Sequence, residues 1–319
     1  MEINHERIKS YLEYCRYGKN LSPLTLKAYE LDLKGFLASA ERRTGPGVLP
    51  DKEAIRDYIK GLFDQSLKEA TIKRKAISLK AFFTYLEDEG ILEQNPFRGL
   101  RLSIRIPKKV PTVMSMAEIS KLIGLPREEL EEKKKCALDK IDFLSCTDRK
   151  EMRILRDLLV IELLFATGMR VAELSKLDTD DVDIVRGLIK VNGKGSKQRI
   201  LPIPNSDIST MLSAFIKLRV LQQDGSKFLF KNRLNRRLDT QSIRAIIHGY
   251  SAKANLQKRI TPHVFRHTIA TMLLENGTDI RFVQTFLGHS SILTTQLYTH
   301  ASEAAQRKAI VLNHPMNSL

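Results

Sequence analysis

Apolar positions recur at three- and four-residue steps through the first hundred residues: Leu26, Tyr29, Leu33 and Leu37, then Ile55, Tyr58, Ile59 and Leu62, then Ile72, Ile77, Leu79, Phe82, Phe83 and Leu86. That spacing gathers each set on one face of a helix. Local signals mark the starts. Ser22-Pro23 sets a hydroxyl cap before a proline at the first helical position, and Asp51 precedes the second run. The third run extends from about Glu69 to Glu89 and carries Lys68, Lys73, Arg74, Lys75 and Lys80 away from its apolar side. The pattern predicts a small helical domain of four helices with one basic face. Gly90 and Asn95-Pro96 close it, and residues 101–111, with Arg105, Lys108 and Lys109, read as an extended basic linker.

From Ser115 the helical pattern resumes. The stretch 125–150 is rich in alternating Glu and Lys and reads as an exposed helix or loop with intrahelical ion pairs. Leu155 to Phe165 is apolar on most sides, which predicts a buried helix ending at Thr167-Gly168, with Arg170 just beyond the core. Between Gly187 and Ile203 the period changes. Leu188 to Val191 and Arg199 to Ile203 flank Asn192-Gly193-Lys194-Gly195-Ser196, the signature of a β-hairpin whose tip carries Lys194 and Lys197. Helical spacing then continues to the end. Thr261-Pro262 reads as a hydroxyl cap with His263 and Arg266 on one face of the following helix. Asp279 reads as the cap of the next, with Ile280, Val283, Phe286 and Leu287 inward and Gly288 as its stop.

Charge narrows the partner. The chain of 319 residues carries a formal net charge of +16, a surplus that favours a polyanion through phosphate neutralisation and counterion release. Nucleic acid is the first expectation and an anionic membrane surface the second. The surplus is uneven: 22 Lys and Arg against 12 Asp and Glu from Leu158 onward, but 19 against 15 over residues 1–107. Cys15, Cys136 and Cys146 make neither an even set nor a CxxC spacing, so neither disulfides nor a zinc site is expected. The longest apolar segment, Leu158 to Phe165, is broken by Glu162, and the N-terminus has no basic-then-apolar leader. Neither export nor membrane spanning is predicted, and the expected compartment is cytoplasmic.

Taken singly, the chemically capable residues have ordinary explanations. His263 and Arg266 three apart are usually a solvated or salt-bridged pair, a histidine after Gly288 is usually structural, and a tyrosine near a chain end usually packs. Their joint order changes that. Ala166-Thr167-Gly168-Met169-Arg170-Val171-Ala172-Glu173-Leu174, Gly193-Lys194-Gly195-Ser196-Lys197-Gln198-Arg199, Thr261-Pro262-His263-Val264-Phe265-Arg266-His267, Leu287-Gly288-His289-Ser290 and Thr294-Thr295-Gln296-Leu297-Tyr298-Thr299-His300 follow one another along the chain. In this it resembles the tyrosine recombinase (integrase) family, and its short Xer-type members in particular, from about Ile3 to the end. Phe265 stands where the family more often has leucine, and the charged stretch is longer than a minimal member needs.

The resemblance implies a mainly α fold with a small β-sheet, in two domains closing as a C-shaped clamp on DNA. These would be a helical, SAM-like core-binding domain over 1–106, a linker over 107–111, and a catalytic domain over 112–319 with a subunit-contact tail. It implies that Arg170 and Arg266 hold the scissile phosphate with His289, that Lys194 protonates the leaving 5′ oxygen, and that His263 helps with the proton of the nucleophile Tyr298. Glu173 would support the site, or be an ordinary surface carboxylate. Lys73, Arg74, Lys75 and Lys80 would contact DNA, Arg105, Lys108 and Lys109 would follow its backbone or belong to a plain solvated connector, and Lys197 and Arg199 would be phosphate-contacting or structural. No metal and no cofactor is implied. The implied partners are double-stranded DNA with a specific recombination site and a homo-tetramer, or a hetero-tetramer with a second recombinase. A type IB DNA topoisomerase and a non-catalytic DNA-binding regulator are the alternatives.

Overall fold

The computed structural model describes residues 4–45, 48–107, 111–136, 138, 141–146, 148–193, 198–221, 225–288 and 310–318. Lys108, Lys109, Lys194, Lys197, His289 and Tyr298 lie outside them. The chain divides into two compact units, Met1–Lys109 and Val110–Leu319.

The first unit is built from α1 (His5–Tyr17), α2 (Pro23–Thr44), α3 (Lys52–Asp64) and α4 (Glu69–Asp88). The expected caps are present: Ser22 accepts from the Thr25 amide ahead of Pro23, and Asp51 accepts from the Ala54 amide. Each satisfies one of the donors a helix start leaves open. Tyr11, Phe36, Phe82 and Phe83 fill the centre, with edge-to-face ring contacts between them.

Two readings of α4 need correcting. Ile77 is 54% exposed, while Ser78 is fully buried. At 100° per residue, position 77 falls opposite the stripe made by Ile72, Leu79, Phe83 and Leu86. Arg74 and Lys75 are not simply outward cations either, because both reach the buried Asp32 of α2, and Ser78 Oγ donates to the same carboxylate at 3.1 Å. Lys73, Lys80 and Arg105 are exposed.

The second unit opens with α5 (Met116–Lys134), started by a reciprocal cap between Ser115 and Glu118. The charged stretch is less exposed than its composition suggests. Leu130 is buried, and Arg127 reaches inward to the fully buried Glu162. Burial raises the Glu162 carboxyl above the usual range, and Arg127 only partly opposes this. α6 (Arg149–Thr167) is buried along nearly its whole length, as its apolar run predicts. After it come α7 (Val171–Lys176) and a sheet of β1 (Val182–Asp183), β2 (Leu188–Asn192) and β3 (Gln198–Pro202), antiparallel in that order.

The expected hairpin is β2 with β3, in register Lys190 to Ile200; the two-residue β1 is too short to leave a pattern. α8 (Ser206–Leu221), α9 (Thr240–Lys253), α10 (Pro262–Glu275) and α11 (Ile280–Leu287) follow. Ile280, expected inward, is 56% exposed because it occupies the first turn, ahead of the buried Val283, Phe286 and Leu287.

Residues 310–318 pack on their own unit: Ile310 and Met316 join its core, and the His314 ring meets the Ala166 carbonyl at 2.7 Å. The three cysteines are unpaired. Among the described residues no helix is long and apolar enough to cross a membrane.

Candidate active site

Three turns bring distant residues together. The first is the end of α6, where Gly168 takes a left-handed φ of 57° and closes the helix through its amide on Leu164. A side chain here would collide, because a Cβ would lie 2.6 Å from Leu287 Cδ2 and 2.8 Å from Ile269 Cγ2. Glycine is therefore what lets α6, α10 and α11 approach, and two residues later the chain delivers Arg170.

Arg170 is the N-cap of α7, and Glu173 serves that helix start in reverse. Its Oε2 accepts the Arg170 backbone amide at 2.7 Å and its Oε1 accepts Arg170 Nη1 at 2.9 Å. Glu173 is only 6% exposed, so it is not a surface carboxylate. Burial works to raise its pKa, but the donors from Arg199 and from the Arg170 amide outweigh this and hold it below the usual carboxylate range.

Arg266 comes from α10. Pro262 occupies the first helical position as expected, but the Thr261 hydroxyl makes no cap bond. Arg266 is buried at 7% exposure, whereas His263, one turn earlier, is exposed. Arg266 Nη1 donates to the Gly168 carbonyl at 2.9 Å and Nη2 to the Leu287 carbonyl at 2.5 Å. Burial, then the neighbouring Arg170 and Arg199 charges, push its pKa down to about 10.

For Arg199 the sequence leaves a phosphate contact and a structural role open, and the structure shows the second. Its Nη1 and Nη2 fork onto both oxygens of Glu173 at 2.9 and 2.8 Å, and Nε donates to the Phe286 carbonyl at 3.1 Å. The signal for this lay in strand parity: Arg199 shares a face with the buried Leu201, while Ile200 between them is 55% exposed.

Arg170 and Arg199 thus pair with Glu173 and Arg266 lies beside them, a surplus of two positive charges among these four side chains, with the Arg170 side chain still 38% exposed. Such a group is suited to an anion, and planar forks of donors match phosphate oxygens. A separate cavity of about 830 Å³ is lined by Arg149, Lys150, Arg153 and Arg156 among others, near the start of α6. It belongs to the opposite end of that helix from the arginine cluster.

A helical unit followed by a larger, mostly helical unit with a partly buried arginine cluster defines the class. Comparisons with known proteins place the chain within it. Residues 139–305 match the phage integrase family and residues 8–90 match the phage integrase N-terminal SAM-like domain. A tyrosine recombinase of Agathobacter rectalis is 36% identical over 97% of this chain and 96% of its own. Tyrosine recombinase XerD of Staphylococcus haemolyticus is 34% identical over 97% of this chain and 98% of its own. XerH site-specific recombinase, solved bound to palindromic difH substrate as a post-cleavage complex, has the same fold. It aligns with a TM-score of 0.66 at 22% identity, covering 96% of this chain and 84% of that one. The chain belongs to the phage integrase family and is a tyrosine recombinase of the Xer type.

Proposed function

We propose that the protein cuts and rejoins DNA at a specific site through a 3′-phosphotyrosine on Tyr298. In this reading the domain over 1–106 and the catalytic domain over 112–319, joined by 107–111, close on a duplex. Arg170 and Arg266 hold the non-bridging oxygens of one phosphodiester, and His289, next in the chain after Gly288, adds a donor. The Tyr298 oxygen bonds to phosphorus as the bond to the 5′ oxygen breaks. The phenolic proton passes toward His263 and solvent, and Lys194 protonates the leaving oxygen.

The observation that carries the reading is the pair of arginines 96 positions apart, drawn to one place with more positive charge than Glu173 offsets. A phosphate would supply the missing negative charge. An Arg–phosphate contact at about 4 Å is worth roughly 1 kcal/mol in bulk water and about 4 at an effective dielectric of 20, so DNA that covers the site strengthens its own clamp.

The covalent intermediate keeps the energy of the phosphodiester, so the 5′ hydroxyl of another strand reverses the step without ATP. Exchange between two duplexes then takes four protomers, either one kind or this protein with a second recombinase. Relatives named XerD and a relative solved on difH DNA support DNA as partner. The proposed compartment is the cytoplasm, and the role is chromosome dimer resolution or movement of a mobile element. Incubation with a nicked suicide duplex, read on a denaturing gel, should trap a covalent adduct that Tyr298→Phe abolishes. An undiminished adduct with that variant removes Tyr298 from the mechanism.

A further inference from the structure

A helix end leaves its last carbonyls without intrahelical donors. In α11 the Phe286 carbonyl takes Arg199, the Leu287 carbonyl takes Arg266, and the Gly288 carbonyl just past the helix takes Arg170. Cations are also favoured at that negative end of the helix dipole. The chain leaves this turn directly into His289.

Within this arrangement Arg199 has a distinct place. Its side chain is 14% exposed, and each of its three nitrogens has a protein acceptor. Two of those contacts fix both oxygens of Glu173, which in turn holds the backbone and the guanidinium of Arg170. The third fixes α11. Gly288, at φ 68°, lies flat against the same group: a Cβ there would be 3.1 to 3.2 Å from Arg199 Nη1, Cδ and Cζ. A lysine could not reproduce this, since one ammonium cannot fork onto a carboxylate and also reach a carbonyl on the far side.

We propose that Arg199 is a positioning residue for strand cleavage: clasped between Glu173 and the end of α11, it sets Arg170 and the exit of the chain toward His289 without touching DNA. The inference rests on the cleavage reading above and names a part of that machinery for which the motif alone left phosphate contact and structure open.

The test is single-turnover adduct formation on the nicked suicide duplex at saturating protein, with the dissociation constant measured separately by gel shift. Wild type, Arg199→Ala, Arg199→Lys, Glu173→Gln and the double variant Arg199→Ala/Glu173→Gln are compared, each checked for folded fraction by near-UV circular dichroism. Arg199→Ala should slow the saturated rate ten- to a hundredfold while the dissociation constant moves less than about threefold. Arg199→Lys should recover little. The double variant should be no slower than the slower single, because both changes break one chain of contacts. Gly288→Ala crowds Arg199 and also strains a left-handed turn, so its rate loss counts toward the inference only where it vanishes in the Arg199→Ala background.

A weakened affinity with a normal saturated rate makes Arg199 a phosphate ligand and overturns the inference. So does a rate loss that merely follows the folded fraction, a full rescue by lysine, or a wild-type rate in Arg199→Ala. No adduct even with wild type overturns the cleavage reading itself, and this inference with it; normal wild-type cleavage isolates the failure to Arg199.

Discussion

Asp32 in the first unit and Glu173 in the second are each buried against two paired cations, and the two clusters serve different ends. Asp32, 1% exposed, joins α2 to α4 through Arg74, Lys75 and Ser78. Both helices already pack on a shared aromatic core, so the ion cluster adds to an existing contact. Glu173 joins α7 to β3, and through its arginine partners it reaches the end of α11. These segments also share an apolar core through Leu174, Leu201, Phe286 and Leu287, and what the carboxylate adds is the orientation of side chains with an exposed face. A buried ion pair is in itself weak evidence for stability. What matters is whether its partners are held against something already packed or aimed at something yet to arrive.

The strongest way to break that contrast is Arg266→Ala, which removes the donors to both Gly168 and Leu287. By analogy with lost oxyanion-hole donors, cleavage on the suicide duplex should fall about a hundredfold or more. A loss under tenfold in single-turnover kinetics would return Arg266 to a purely structural role.

Asp32→Asn should sharpen it from the other side. Loss of the charge leaves Lys75, only 18% exposed, without its carboxylate, and should cost about 3 kcal/mol of unfolding free energy, read by urea titration. Arg74 and Lys75 would then be available to phosphate, so DNA affinity should hold or rise. If Asp32→Asn slows saturated cleavage as much as Glu173→Gln does, the two clusters are not different in kind.

The smallest effect is in pH. Burial is the main cause that pulls the His314 pKa down to about 4, against the pull of the Ala166 carbonyl. The ring is therefore neutral in the fold, while in an unfolded chain it takes a proton below about pH 6.5. Its docking is fully supported above that value, weakens as pH falls from 6.5 toward 4, and by pH 5.5 has lost about 1.4 kcal/mol. Amide exchange at residues 310–316, divided by the intrinsic rate at each pH, should quicken over that window in wild type and not in His314→Gln. Equal acceleration in both would assign the effect to other groups.

The helices were legible because their cause is local. Ser22-Pro23, Asp51 and Gly288 act within one turn of themselves, and the apolar run of α6 has no reading other than burial. Ile77 misled because its apolar character outweighed a helical phase opposite the stripe, and Ile280 because an isoleucine in a first turn sits at the margin of its stripe. Arg170, Glu173 and Arg266 were recognisable from their motifs, but that Arg199 turns inward to Glu173 is a fact of tertiary contact. Residues 26 apart along the chain leave no mutual periodicity, and only the parity with Leu201 hinted at it. The contact of His314 with Ala166, 148 positions away, left no trace at all. Lys194, His289 and Tyr298 belong to the motif reading alone, since they lie outside the described residues.

Arg266 bridges the Gly168 and Leu287 carbonyls with two nitrogens of one flat, covalently rigid group. It therefore behaves as a spacer of constant width between two helix ends. Widening the gap it spans would stretch one of those two hydrogen bonds, so the group couples the turn before Arg170 to the turn before His289.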